Sequence, residues 1–102
     1  MKIISWNIRG LNNPHKQDMV RNIIRDNKLD IVLLQETKMP KEKVESLSLL
    51  KNGKILGSNA KGTSGAMAII WNCNNIDGNL IFQNKNVIHV RFCNLKDNTS
   101  WV

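Results

Sequence analysis

Two short apolar runs in this sequence each end in a side chain that carries a hard oxygen donor. Residues 31–35, Ile-Val-Leu-Leu-Gln, lie between Asp30 and Pro40 and lead directly to Glu36. Residues 2–8 run into Trp6-Asn7-Ile8-Arg9-Gly10-Leu11-Asn12. A run this short, rich in branched side chains and bounded by turn residues, reads as a buried strand. In an open α/β sheet, ligands bind outside the carboxyl ends of the strands. A helical segment between the two runs permits a βαβ crossover, which sets both strands in one sheet. Asn7 and Glu36 then stand at corresponding strand ends, close enough to share one ion or one phosphate. A carboxylate and a carboxamide suit magnesium rather than zinc. A lone glutamate after a strand ordinarily begins a solvated loop; the matching end of the earlier strand singles Glu36 out.

The segments that must position these residues are legible in outline. Asn13-Pro14 starts a helix, with Asn13 as cap and Pro14 in the first helical position. Met19, Val20, Ile23 and Ile24 share one face, and Asn27-Lys28 closes the helix. Pro40 opens a second helical segment whose stripe is Val44, Leu47 and Leu50, with Lys41 and Glu45 paired on its exposed side. Asn52-Gly53 stops it. Strand patterns follow at 54–58, 66–71, 80–83 and 87–95, with a small-residue loop at 60–65, a turn at 72–79 and a hairpin loop at 84–86. In the longest strand Ile88, Val90 and Phe92 share one face, while Val87, His89, Arg91 and Cys93 share the other. A last strand begins at 99–102. The fold class is α/β, with a βαβ start and a meander behind it.

Composition narrows the partners. The 102 residues make one domain or part of one, with 15 Lys and Arg against 8 Asp and Glu and a net charge of +7. The excess lies in the first 65 residues and forms no basic tail. Such a balance fits a nucleic-acid partner and is equally an ordinary aid to solubility. Cys73 and Cys93 stand apart without a CxxC or a histidine at ligand spacing, which reads as two reduced thiols in an intracellular protein. The N-terminus reaches Trp6-Asn7 too soon for a signal peptide, and no apolar run is long enough to span a membrane.

Trp6-Asn7-Ile8-Arg9-Gly10-Leu11-Asn12, then Leu33-Leu34-Gln35-Glu36-Thr37-Lys38, then Thr63-Ser64-Gly65-Ala66-Met67-Ala68-Ile69-Ile70-Trp71-Asn72 resemble the start of the endonuclease/exonuclease/phosphatase superfamily. The likeness is nearest to the endonuclease region at the front of plant-type non-LTR (LINE-type) retrotransposon polyproteins, and it runs through essentially the whole chain. It implies the front half of a four-layered α/β sandwich, with residues 1–102 as a single partial domain truncated on its C-terminal side. The implied reaction is magnesium-dependent phosphodiester hydrolysis, with manganese able to stand in. Glu36 then binds the metal and Asn7 helps to orient both the metal site and the scissile phosphate. The family's Ser-Asp-His, Asp-x-Asn and tyrosine positions belong to sequence beyond this half, so activity in these residues alone is not expected. The resemblance implies DNA ahead of RNA as partner, the remainder of the same domain or polyprotein downstream, no membrane, and a nuclear location for a eukaryotic element. Two other readings stand beside it: a non-catalytic remnant that binds nucleic acid weakly, and a phosphatase or phosphodiesterase of the same superfamily.

Other candidates read more plainly. Many superfamily members carry an acidic residue where this chain has Arg9, and the retroelement branch resembles this chain in departing from it; Arg9 is either a phosphate contact or a solvated loop residue. Ala66 replaces a usual second glycine. Trp6 and Trp71 read as core, His15 and His89 as structural, and Ser64 lacks the His-Asp pair of a nucleophile. Ile69, Val90 and Phe92 are expected to await a facing sheet from sequence further on. The charge balance predicts nucleic-acid binding that is weak, independent of sequence and lost as salt rises. Fluorescence anisotropy on a duplex should give a log–log salt slope of about −0.9 per phosphate neutralised, and an affinity flat in salt would exclude an electrostatic role.

Overall fold

Residues 3–7 alternate between the two sides of a sheet: Ile4 and Trp6 pack against a helical core, while Ile3, Ser5 and Asn7 are exposed. A computed structural model describes residues 1–58, 66–84 and 87–102 of the chain. Within it β1 (Ile3–Asn7) is followed by α1 (Pro14–Asn27), β2 (Ile31–Gln35), α2 (Lys41–Glu45), β3 (Gly53–Gly57) and β4 (Met67–Asn72). Then come β5 (Ile76–Gln83), β6 (Ile88–Asn94) and β7 (Ser100–Trp101). Helix α1 begins as its sequence requires: the Asn13 side chain accepts the His15 amide at 2.8 Å and Pro14 occupies the first turn. Val20 and Ile24 bury its apolar face, and Lys28 ends it in the left-handed conformation with its amide donating to Arg25 and Ile24. Met19, expected on that face, is exposed instead.

The crossover makes β1 and β2 parallel, with Ile3 opposite Ile31 and Asn7 opposite Gln35. β2 and β3 both pair antiparallel with β4, so the four-stranded sheet runs β1-β2-β4-β3. β5, β6 and β7 form a second, antiparallel meander. The structure is therefore the expected mixed α/β fold. One buried cluster joins α1, α2 and the loops to one face of the first sheet through Val20, Ile24, Val32, Leu34, Val44 and Ile70. A second joins the opposite face to the meander through Ile31, Trp71, Ile76, Val90 and Phe92.

Several elements differ from expectation. Val90 and Phe92 do not await a sheet from elsewhere: the two sheets of this chain supply inner faces to each other, with Leu33, Leu56 and Ile69 packed at the margin. Between them an apolar cleft of about 260 Å³ remains, lined by Ile3, Leu33 and Ile69 and, across it, by Ile88, Phe92 and Trp101. The second helix stops at Glu45, where the Ser46 hydroxyl donates to the Lys43 carbonyl at 2.6 Å and competes with the next helical turn. Leu47 and Leu50 still reach the core, but from irregular backbone, which also buries Leu49.

The turn expected at 72–79 is confined to 73–75, and β5 begins at Ile76 because that side chain is buried between the sheets. Gly78, read as a turn glycine, is a strand residue that leaves room for the Trp71 ring. That ring meets Phe92 edge-on at 5.5 Å. Leu80, Ile81 and Phe82 stay exposed where β5 bulges. The small-residue loop at 60–65, with its Thr63-Ser64-Gly65, and Lys85-Asn86 of the hairpin loop lie outside the described residues.

The Lys41–Glu45 pair does more than decorate a helix. Lys41 Nζ lies 2.5 Å from Glu45 Oε2, and the same carboxylate accepts the Gly57 amide at 2.9 Å. Gln83 of β5 donates to the Gly57 carbonyl, so α2, the edge strand β3 and the second sheet meet at one point. Partial burial works to raise the Glu45 carboxyl. The Gly57 amide and the bond and charge of Lys41, helped by the charge of Lys54, outweigh it and hold the group below the ordinary glutamate value.

A Cβ on Gly78 would stand 2.7 Å from Cε2 and Cζ2 of Trp71. Gly78→Ala should therefore destabilise the fold by about 1–3 kcal/mol, the usual cost of overpacking. The check is the midpoint of urea unfolding, and an unchanged midpoint would show that the Trp71 ring has room to move aside.

Candidate functional site

The parallel ladder of β1 and β2 continues past both strands. The Ile8 amide donates to the Gln35 carbonyl at 3.0 Å, Gly10 to Glu36 at 2.7 Å and Leu11 to Thr37 at 2.9 Å. On the other side the Thr37 amide donates to the Ala66 carbonyl at 3.0 Å. The segment that carries Glu36 is thus held on one side by the loop after β1 and on the other by the approach to β4. Asn7, exposed, stands opposite Gln35, with the half-buried Glu36 the next residue along. The two expected site residues are neighbours across the ladder.

The backbone here is unusual. Arg9 (φ 52°), Glu36 (φ 55°) and Lys38 (φ 55°) are all left-handed, and Gly10 has φ 103°. Such angles are uncommon for side chains of these types and cost on the order of 1 kcal/mol each. At Glu36 the left-handed residue ends the strand alternation that holds through Gln35.

Helix α1 and the loops brace this arrangement from behind. Lys16 Nζ donates to the Ile8 carbonyl at 2.9 Å and to the Arg9 carbonyl at 3.0 Å, and Gln17 Nε2 donates to Leu11 at 2.9 Å. Asn12 Nδ2 donates to the Lys38 carbonyl at 3.0 Å, while Lys43 Nζ reaches Asn12 Oδ1 at 3.4 Å. Lys16, Gln17 and Asn12 were not legible as site residues, because on a helix face or in a loop they read as solvated polar groups. The available signal was the place of Lys16 and Gln17 in the first turn after a strand-end loop whose carbonyls need donors, and of Asn12 in that loop itself.

A divalent cation fits the donors present. Asn7 and Glu36 offer hard oxygens, and magnesium commonly uses one or two carboxylates, several waters and a substrate phosphate. Among the described residues no three His, Cys, Asp or Glu side chains group closely enough to hold an ion. Among the described residues, Glu36 and Asn7 are the donors that these two strand ends would offer to such a site. Next to them the Thr37 hydroxyl is fully buried and, among the described residues, has no hydrogen-bond partner.

The remaining candidates fall elsewhere. Arg9 is an exposed residue of the strand-end loop. His15 is exposed on α1, and His89 is exposed on β6 opposite Phe82. Trp6 is half-buried against the helical core and Trp71 is buried between the sheets. Trp101, on β7, packs with its ring centre 6.1 Å from that of Phe92. Asp77-Gly78-Asn79 spells Asp-x-Asn, but it lies within β5 with Gly78 beneath Trp71. Cys73 and Cys93 are both free. No described helix is long and apolar enough to cross a membrane.

A parallel βαβ opening, with loops at the carboxyl ends of β1 and β2, defines an α/β domain, and in open sheets of that class ligands bind outside the strand ends. The model of the Endonuclease/Exonuclease/phosphatase family matches residues 4–93, and the chain belongs to that family. Solved structures agree on the fold. An AP endonuclease from Leishmania major superposes with a TM-score of 0.69 at 15% identity, over 96% of this chain and 37% of that one. A 3′ phosphatase from Neisseria, bound to product DNA hairpin, gives 0.65 at 22% identity, over 93% and 38%. An endonuclease/exonuclease/phosphatase from Bacteroides vulgatus gives 0.62 at 19% identity, over 96% and 48%. The chain therefore spans less than half the length of each of these three structures. No curated protein matches it significantly.

The orphaned Thr37 hydroxyl generates a test. Thr37→Val keeps the shape and removes a buried polar group that lacks a partner, so it should stabilise the chain by about 1 kcal/mol. Thermal unfolding of the two proteins measures it, and a loss of stability would reveal a partner that the hydroxyl meets in solution.

Proposed function

We propose that this chain is the N-terminal part of a magnesium-dependent, phosphodiester-cleaving domain of the DNA endonuclease type, from a non-LTR retroelement. The observation that carries the reading is the ladder that sets Asn7 opposite Gln35 and so beside Glu36. The family match and the retroelement-like Trp6-Asn7-Ile8-Arg9-Gly10-Leu11-Asn12 support it. DNA is the proposed substrate, and the nucleus its place of action.

Glu36 would hold the cation, with Asn7 orienting both it and the scissile phosphate. When bound, magnesium supplies polarisation of a phosphoryl oxygen and charge stabilisation at the leaving oxygen. The bracing of residues 8–11 and 35–37 keeps the two side chains in one arrangement, which is what a positioned phosphate requires. Arg9, exposed in the same loop, would meet a neighbouring phosphate. A water must also lose a proton, and among the described residues neither His15 nor His89 has an aspartate partner that would make it a base. That role falls to the rest of the domain.

Two outcomes follow. The 102-residue chain, with magnesium added, should leave supercoiled plasmid intact. In a chain that also carries the rest of the domain, Glu36→Gln should remove most magnesium-dependent cleavage, by about 100-fold or more, since it deletes the carboxylate this half brings to the ion. Asn7→Ala should lower the rate less. Cleavage retained within a few-fold in Glu36→Gln would sink the assignment, and a larger loss for Asn7→Ala would reverse the two roles.

A further inference from the structure

The first turn of α1 is tied to the candidate site by a short sequence of bonds. Residues 8–11 lie between two partners. Their amides at Ile8, Gly10 and Leu11 donate to the carbonyls of Gln35, Glu36 and Thr37. Their carbonyls at Ile8, Arg9 and Leu11 accept from Lys16 and Gln17. A displacement of the helix turn is therefore passed through one loop to the segment that carries Glu36.

Lys16 has the central place in this arrangement. One ammonium serves two consecutive carbonyls at 2.9 and 3.0 Å, and the second belongs to Arg9, whose φ is 52°. A non-glycine residue stays left-handed only where its surroundings over-determine it. A compact charge with several donors supplies that constraint, because hydrogen bonds from a charged donor are stronger than neutral ones. Lys16 holds the Ile8–Arg9 peptide plane by its carbonyl, while the preceding Asn7–Ile8 plane is held by the Ile8 amide on the Gln35 carbonyl, so the backbone is fixed on both sides of Ile8, directly after Asn7. Among the contacts described for it, the Lys16 ammonium meets carbonyls rather than a carboxylate.

We infer that Lys16 is a positioning residue for the Asn7–Glu36 site: by clamping the Ile8 and Arg9 carbonyls it sets the relation of the two side chains and hence their affinity for a divalent cation. The inference rests on the cation-site reading given above. It makes a prediction of opposite sign to simple electrostatics. Removing a positive charge near a cation site, by Coulomb's law alone, strengthens cation binding. Loss of a positioning contact behind a metal ligand weakens it.

The test uses the ¹⁵N-labelled chain titrated with Mn²⁺, whose paramagnetism broadens nearby resonances. The Asn7 side-chain amide and the Gly10 amide report an ion at this place. Lys16→Met should weaken Mn²⁺ binding by about tenfold or more, the usual effect of losing a group that orients metal ligands. It should also shift the Gly10 and Leu11 amide signals before any metal is added. Lys16→Arg, which keeps donors for both carbonyls, should stay within about threefold of the parent. If Lys16→Met does not fold, Lys16→Gln, which keeps one amide donor, takes its place under the same criterion of sign. Glu36→Gln separates the two ideas. Broadening that survives Glu36→Gln unchanged overturns the cation-site reading and the inference with it. Broadening lost in Glu36→Gln but unchanged or strengthened in Lys16→Met leaves the cation site standing and overturns the role of Lys16.

Discussion

The pairing of β1 with β2 is the constraint from which the rest of this structure follows, because its hydrogen bonds do not stop where the strands stop. Three further amide-to-carbonyl bonds run from Ile8, Gly10 and Leu11 to Gln35, Glu36 and Thr37. Parallel strands cannot be joined by a tight turn, so the chain must leave by a crossover and return on the same side. α1 is that crossover, and its first turn passes directly behind the loop it has just left. The carbonyls of residues 8, 9 and 11 would otherwise point at the helix unpaired, and Lys16 and Gln17 supply their donors. Strand pairing, crossover and bracing are one connected requirement.

The second sheet depends on the first through a different physical effect, the shape of one side chain. Trp71 of β4 is buried to 1% exposure and turns its ring towards the meander. A ring of that size fits only where the strand above it lacks a Cβ, which Gly78 provides. Phe92 meets the same ring edge-on, and Trp101 then stacks at a tilt on Phe92. The aromatic series runs from the central strand of one sheet to the last strand of the other. At the far edge the polar junction of Lys41, Glu45, Gly57 and Gln83 joins the two sheets again. The meander is fixed by an apolar contact in its middle and a charged one at its rim.

Much of this was legible in the residues, and what was not has definite physical reasons. β2 is where its branched run placed it, and the Asn13-Pro14 start of α1 holds because capping chemistry is local. The alternation of Ile88, Val90 and Phe92 survives because period two is a property of the strand itself. Leu47 and Leu50 have helical spacing yet reach the core without a helix, since burial depends on position and spacing alone cannot separate the two. Gly78 looked like a turn residue because nothing in its neighbourhood announces the indole ring of Trp71. That β1 and β2 end side by side was readable from the two runs, and Asn7 stands opposite Gln35, one residue before Glu36. The clamp behind them was not, because its acceptors are backbone carbonyls, which every residue type possesses equally.

The left-handed residues have one more consequence. Asn52 and Asn98, which also have positive φ, are of a type that tolerates it, and Lys28 sits at a helix end where such geometry is common. Arg9, Glu36 and Lys38 have no such excuse, and they fall together at the ends of β1 and β2. For the backbone at position 36 the most comfortable residue is glycine, while for the proposed cation it is the least useful. On that proposal stability and chemistry pull this position in opposite directions. A search for more stable variants would then tend to replace Glu36 with the residue that silences the proposed site, and would register the exchange as an improvement.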